Sequence, residues 1–155
     1  MTIRVGINGF GRIGRCVMRA ALGVRDIEIV HVNDLIDTKT LAHLLKYDSV
    51  HGALKENVYA ESEYLVIGNQ KIGVSAVRDP AEIPWKARNV DIVFECTGIF
   101  RKKEQAEKHI KAGARKVIVS SPATGEDLTV VMGVNHHKID KAKHTIISNG
   151  SCTTN

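Results

Sequence analysis

With 155 residues, 43% of them hydrophobic and 25% charged, the chain is sized to bury one ordinary core, and a soluble single domain is expected. Lys and Arg number 22 against 17 Asp and Glu, and the resulting charge of +5 favours anionic ligands such as phosphates or nucleic acid without choosing among them. No stretch approaches the roughly 20 apolar residues of a membrane span, the start lacks a signal-peptide run, and Cys16, Cys96 and Cys152 form neither a disulfide framework nor a metal-ligand spacing. Those exclusions point to the cytoplasm, with no membrane contact and no metal.

Residues 3–7 read as a first strand, and after a glycine turn residues 12–22 read as a helix turning Ile13, Val17, Ala20 and Ala21 toward a sheet. A second strand covers 27–32. Asp37 or Thr38 caps a helix with Leu41, Leu44 and Leu45 on one stripe, ending near Tyr47. Residues 65–67 and 72–74, joined by Gly68-Asn69-Gln70-Lys71, read as an antiparallel hairpin interrupting the βαβ rhythm. Asp79-Pro80 starts a short turn leading to Trp85, because proline at a first helical position gives up no needed donor. A strand at 91–95, a helix at 103–112 stopped by Gly113, and strands at 117–120, 128–132 and 145–148 complete the chain. The alternation predicts an α/β fold: a Rossmann-type, doubly wound, mostly parallel sheet with the hairpin inserted.

Gly9-Phe10-Gly11-Arg12-Ile13-Gly14 is a G-x-G-x-x-G placed after a strand and opening a helix. One glycine makes the tight turn, the next admits a pyrophosphate against the backbone, and the third lets helix and strand pack closely. Amides at the helix start, around Arg12 and Ile13, carry the positive end of the helix dipole; the expectation rests on the Arg12 amide, not its side chain. The second strand ends in Asn33-Asp34, and Asp34 stands 20 residues after Gly14, where a carboxylate accepts ribose hydroxyls and repels a 2′-phosphate. NAD rather than NADP is the expected cofactor.

Cys152 lies in Ser148-Asn149-Gly150-Ser151-Cys152-Thr153-Thr154-Asn155, just past a strand's carboxyl end, where open α/β sheets bind ligands. Polar neighbours suit a helix start, whose dipole lowers a thiol pKa and whose Cys152 amide is placed to stabilise an oxyanion. Cys16 and Cys96 read as packing residues. His136-His137 reads as a solvated loop.

Three segments, Ile7-Asn8-Gly9-Phe10-Gly11-Arg12-Ile13-Gly14-Arg15, Leu45-Lys46-Tyr47-Asp48-Ser49-Val50-His51-Gly52 and the cysteine octet, resemble those of the phosphorylating glyceraldehyde-3-phosphate dehydrogenases, and the resemblance covers essentially the whole chain. It implies an NAD-binding domain over residues 1–148, with 149–155 opening the catalytic-cysteine region of a domain that follows. It further implies a Cys152 thiolate attacking glyceraldehyde 3-phosphate, a hydride passing from the thiohemiacetal to NAD, and inorganic phosphate taking the acyl group. Gly9, Phe10, Gly11, Arg12, Ile13, Asn33, Asp34, Arg78 and Ser120 then contact the cofactor, with Thr97 and Gly98 near its nicotinamide end and Phe100 walling the adenine. Ser151 and Thr153 hold substrate and phosphate. The family forms homotetramers, and its catalytic histidine lies further along a full-length chain, so the 155 residues are expected to bind NAD but turn over poorly. Gly150 stands where the family usually has alanine, and the lost methyl is expected to loosen the loop.

Two other readings remain, a sister enzyme of the same family and a binding module of a different class. Erythrose-4-phosphate dehydrogenase shares the same loop and cysteine, and a non-catalytic nucleotide- or nucleic-acid-binding module would use Arg101-Lys102-Lys103 and the lysines at 138, 141 and 143. Aromatics make up only 5% of the chain and do not interleave with those basic runs, which disfavours nucleic acid.

Overall fold

The computed structural model describes residues 2–155. Strand β1 (Ile3–Asn8) leads into α1 (Arg12–Ala21), β2 (Ile27–Asn33) and α2 (Thr38–Lys46), followed by a small antiparallel pair, β3 (Tyr47–Asp48) and β4 (Gly52–Ala53). A meander of β5 (Val58–Glu61), β6 (Tyr64–Ile67) and β7 (Gln70–Ser75) comes next, then a 3-10 turn at Pro80–Glu82, β8 (Ile92–Glu95), α3 (Lys103–Lys111) and β9 (Lys116–Val119). Strand β10 (Leu128–Thr129), a second 3-10 turn at His136–Lys138 and β11 (Ile146–Ser148) end the chain.

Nine strands form one sheet in the order β10-β11-β9-β8-β1-β2-β7-β6-β5. Only β5, β6 and β7 pair antiparallel with one another; every other pairing in this sheet is parallel. Counted along the chain and leaving aside the edge strand β10, the parallel strands take the spatial order 3-2-1-4-5-6, which is the doubly wound arrangement. The order reverses between β1 and β8. There the connections leave toward opposite faces, and their loops part to leave a crevice at the carboxyl ends.

The inserted antiparallel piece has three strands rather than two, because Val58–Glu61 pairs with Tyr64–Ile67. Four residues at an edge, with only Val58 and Ala60 half-buried, carry too short an alternation to stand out in sequence. The strand expected at 128–132 narrows to Leu128–Thr129 before the chain turns at Gly133. Asp37, not Thr38, caps α2, accepting the Thr40 amide at 3.0 Å. Helix α1 presents Gly14 and Met18 to the core with Val17 and Ala21 beside them, whereas Ile13 and Ala20, expected inward, are exposed. The close seat of Gly14 on the glycine turn sets that rotation.

Apolar side chains alternate between the sheet's two faces. Val5, Ile7, Ile29 and Val32 pack with Met18 of α1 and with Leu41 and Leu45 of α2, while Val30 and Val93 pack with Ile83 and Trp85. Ala106 of α3 joins Val117, Val119 and Ile146. Val5 faces Ile29 across the β1–β2 ladder, but Gly6 faces His31, so β2 carries one extra residue at this point. The extra residue re-aims everything after it, since a one-residue slip exchanges the two faces of a strand.

Gly6 sits beneath the fully buried Trp85, and a Cβ there would lie 2.5 Å from the indole ring. Gly6→Ala is expected to destabilise the fold by about 1–3 kcal/mol through overpacking. Gly23→Ala, where the methyl meets open space at φ +82°, is expected to cost about 1 kcal/mol from backbone conformation alone. Urea unfolding midpoints of the two variants check the ranking.

Candidate functional site

Each glycine of the loop has a separate structural reason. Gly9 adopts φ +87° and a Cβ on it would lie 2.7 Å from the Thr97 amide nitrogen, so the end of β8 presses directly on the turn. A Cβ on Gly14 would collide with the Gly9 carbonyl oxygen, which is the close helix–strand packing its spacing predicted. A Cβ on Gly11 meets nothing within 4 Å. Its bareness serves no packing inside the chain and leaves the backbone open to an approaching ligand.

Gly11 caps α1 without a side-chain hydrogen bond, and the first helical bond runs from Arg15 N–H to Gly11 O at 3.1 Å. The amides of Arg12 and Ile13 thus point out of the helix start with no acceptor among the described residues. The Arg12 side chain is engaged elsewhere, in an ion pair with the buried carboxylate of Asp48. The amides of His51 and Val50, together with Arg12, hold that carboxylate well below the usual range.

A cleft of about 380 Å³ opens at the switch point, lined by Asn8, Gly9, Asn33, Asp34, Leu35, Val77, Arg78, Thr97, Ile99 and Phe100. Asp34 Oδ2 accepts the Phe10 amide at 2.6 Å and Oδ1 accepts the Ile36 amide at 3.0 Å, which fixes the carboxylate at the cleft beside the glycine turn. Phe10 itself is 1% exposed and belongs to the core, so only its backbone reaches the site. Six of the sequence-expected residues therefore share one cavity: Gly9, Asn33, Asp34, Arg78, Thr97 and Phe100. Gly11, Arg12 and Ile13 stand at the adjoining helix start, and Gly98 follows Thr97 at φ +72°. Leu35, Val77 and Ile99 were not singled out from sequence. They read there as ordinary apolar residues, and only the exposure of Leu35 and Ile99, at 54% and 69%, marks them as a rim.

Below the cleft the side chains join in a polar rung. Register places Glu95, Asn8, Asn33 and Ser75 side by side on β8, β1, β2 and β7. Asn8 Nδ2 donates to Glu95 Oε2 at 2.6 Å, Asn33 Nδ2 donates to Asn8 Oδ1 at 2.9 Å, and Ser75 Oγ donates to Asn33 Oδ1 at 2.7 Å. His31 Nε2 meets Ser75 Oγ at 2.8 Å, and the His31 ring stands edge-on to Trp85. Burial, with the neighbouring Arg88 guanidinium, pushes the His31 pKa from 6.5 down to about 4.

The sheet also places Cys152 at its carboxyl edge. It follows β11, which lies beside β9, the strand that ends just before Ser120. Cys152 is exposed, whereas Cys16 and Cys96 are half-buried, and burial pushes the Cys96 thiol up to about 12 despite a hydrogen bond from Ser120. Ser151 opens a single turn: its carbonyl accepts the Thr154 amide at 3.0 Å, and its hydroxyl lies 2.9 Å from that of Thr153. The helix its neighbours suit extends no further among the described residues. Ser120, Ser151, Cys152 and Thr153 are not part of the cleft lining. His136 Nδ1 accepts the Gly133 amide in an exposed loop away from these groups.

The fold order, the open helix start and the carboxylate-rimmed cleft define a dinucleotide-binding α/β domain, and the donor set fits a pyrophosphate on the amides and a ribose on Asp34. A family model described as "Glyceraldehyde 3-phosphate dehydrogenase, NAD binding domain" matches residues 3–103. The chain is 60% identical over 156 residues to glyceraldehyde-3-phosphate dehydrogenase 2 of Streptomyces avermitilis, and 59% identical over 155 residues to glyceraldehyde-3-phosphate dehydrogenase of Geobacillus stearothermophilus. These matches cover 100% of the chain but 47% and 46% of those proteins, so it spans about half the length of the curated relatives it matches. The chain belongs to the glyceraldehyde-3-phosphate dehydrogenase family, with NAD as the cofactor of its nucleotide-binding domain. No helix among the described residues is long and apolar enough to cross a membrane.

Gly150 is buried at φ +72°, and a Cβ there meets Thr129 Cγ2 only at an ordinary 3.6 Å. Glycine suits this left-handed position, so in place of the expected loosening it relieves strain. Gly150→Ala is expected to lower stability by about 1–2 kcal/mol, read as a fall in Tm, without loss of the fold. For His31 the folded pKa lies below the unfolded one, so the unfolded chain takes up a proton that the folded chain refuses. Stability is complete above pH 6.5 and falls as pH drops toward 4, by at most about 1.4 kcal/mol per pH unit from this group. Urea midpoints measured between pH 7 and pH 4.5 are expected to fall less steeply in His31→Gln.

Proposed function

We propose that the cleft binds NAD with its pyrophosphate on the Arg12 and Ile13 amides, its adenosine ribose on Asp34, and its adenine between Leu35, Arg78 and Phe100. The observation that carries this reading is the carboxylate of Asp34, held at the switch-point cleft next to first-turn amides that have no acceptor among the described residues. Thr97 shares the cleft with Asp34, Arg78 and Phe100, which supports assigning it to the adenosine side rather than the nicotinamide end. Ser120 follows β9, which stands between the cleft and the cysteine turn in strand order, and is the hydroxyl assigned to a nicotinamide reaching toward Cys152.

In a protein of the relatives' full length, the reaction is the oxidation and phosphorylation of glyceraldehyde 3-phosphate. The Cys152 thiolate adds to the aldehyde carbon to give a thiohemiacetal, with the Cys152 amide donating to the oxygen that gains charge. NAD held in the cleft would supply the oxidant for that carbon, and inorganic phosphate would then displace the thioester sulfur and restore the thiolate. Ser151 and Thr153, whose hydroxyls face each other at 2.9 Å, are the groups offered to substrate and phosphate. The 155 residues alone hold the cofactor and position the thiol but turn over slowly, because His31, His109, His136 and His144 are hydrogen-bonded elsewhere and no histidine among the described residues is bonded to Cys152.

Calorimetric titration of the protein is expected to show NAD binding with NADP at least about tenfold weaker, and Asp34→Ala is expected to erase that preference. Equal affinity for the two dinucleotides in the unsubstituted protein would contradict the assignment of Asp34.

A further inference from the structure

The cleft uses the side chains at its surface, but the carboxylate directly beneath it has no role in that account. Glu95 ends strand β8 and is 1% exposed. Its Oε1 accepts the Thr97 backbone N–H at 2.8 Å and the Thr97 hydroxyl. Its Oε2 accepts Asn8 Nδ2 at 2.6 Å and His109 Nε2 at 2.9 Å. Trp85 Nε1 donates to His109 Nδ1 at 2.9 Å, and an indole nitrogen can only donate, so the imidazole hydrogen sits on Nε2 and faces Glu95. All four neighbours of the carboxylate are donors.

That arrangement needs an acceptor with two charged oxygens. A buried carboxylate is strongly unfavourable unless it is saturated with hydrogen bonds, and an amide in its place would turn an NH2 group toward two donors. The two groups held on the cleft side, Asn8 and Thr97, both line the cleft and come from the strands that flank the switch point. At Gly9 the two loops already approach as closely as backbone allows. The Thr97 hydroxyl in turn accepts the Ile99 amide at 3.1 Å, which carries the constraint along the loop to the cleft's apolar rim.

We propose that Glu95 is a positioning residue for the dinucleotide: it locks the Thr97 turn against the glycine loop, with His109 and Trp85 as its backing. The inference rests on the NAD reading of the cleft and adds to it a group that never touches the ligand. Removing the carboxylate frees the turn, so each folded chain binds more weakly. A purely architectural role would instead reduce the number of folded chains and leave the affinity of the remainder as it was.

Calorimetric titration with NAD separates these, because it returns stoichiometry and Kd independently. Glu95→Gln is expected to raise Kd about tenfold or more at unchanged stoichiometry, in keeping with hydrogen bonds to a charged group. Thr97→Val, which removes the hydroxyl from a half-buried position without touching the core, is expected to raise Kd about threefold. Lower stoichiometry with an unchanged Kd in Glu95→Gln overturns the proposal. If Glu95→Gln does not fold, an unchanged Kd in Thr97→Val overturns it. Failure of the unsubstituted protein to bind NAD is a separate result, and it overturns the reading of the cleft on which the proposal rests.

Discussion

A hydrogen-bonded rung, Glu95–Asn8–Asn33–Ser75, crosses four adjacent parallel strands at a single level, and the geometry of the carboxyl edge follows from it. Strands of a parallel sheet are normally apolar on both faces because helices cover both. Here that rule holds through Val5, Ile7, Ile29, Val32 and Val93, with His31 as a buried exception, and stops at the level of Asn8. Asn33 also takes the Val77 amide on its carbonyl oxygen and gives a hydrogen to the Val77 carbonyl, both at 2.9 Å, so the rung reaches into the loop that carries Arg78. Polar groups buried this deeply stabilise only when saturated, and once saturated they allow one arrangement.

Two features at that edge divide the work. The glycine loop and Asp34 are built almost wholly from backbone constraints, with the Phe10 amide as the tie between them. The cysteine turn rests on hydroxyls and amides: Ser148 Oγ donates to the Ser121 carbonyl and accepts the Gly150 amide, and Asn155 donates back to the carbonyls of Asn149 and Ser151. The nucleotide end is therefore anchored to the interior, and the thiol end is anchored to its own loop and to the segment that follows β9.

What was legible in the sequence is what is local. The three glycines, the Asp37 and Asp79 caps and the alternation of strand and helix each depend on neighbours a few residues away, and each stands where its spacing placed it. What depends on distant partners was not legible. In sequence Glu95 merely ends a predicted strand and His109 lies within a predicted helix, yet both are buried and joined to partners 14 to 87 residues away. Ile13 misled for a related reason, since helical periodicity finds an apolar stripe but not which side a glycine contact will turn inward. Of the site, the residues at the ends of β1 and β2 were legible; the apolar rim and the polar floor were not.

The extra residue in β2 acts on the strand as a frameshift acts on a reading frame. Before it, residues 27–29 follow the parity of β1; after it, Val32 still reaches the apolar layer while Asn33 comes level with Asn8. Were the bulge flattened with every residue kept, Gly6 would face Val30, Asn8 would face Val32 and the rung would break at its centre, however faithfully the polar residues themselves were kept. The cradle thus depends on where β2 bulges as well as on which residues it carries: an extra residue taken up beyond Asn33 instead of before His31 would set a valine opposite Asn8.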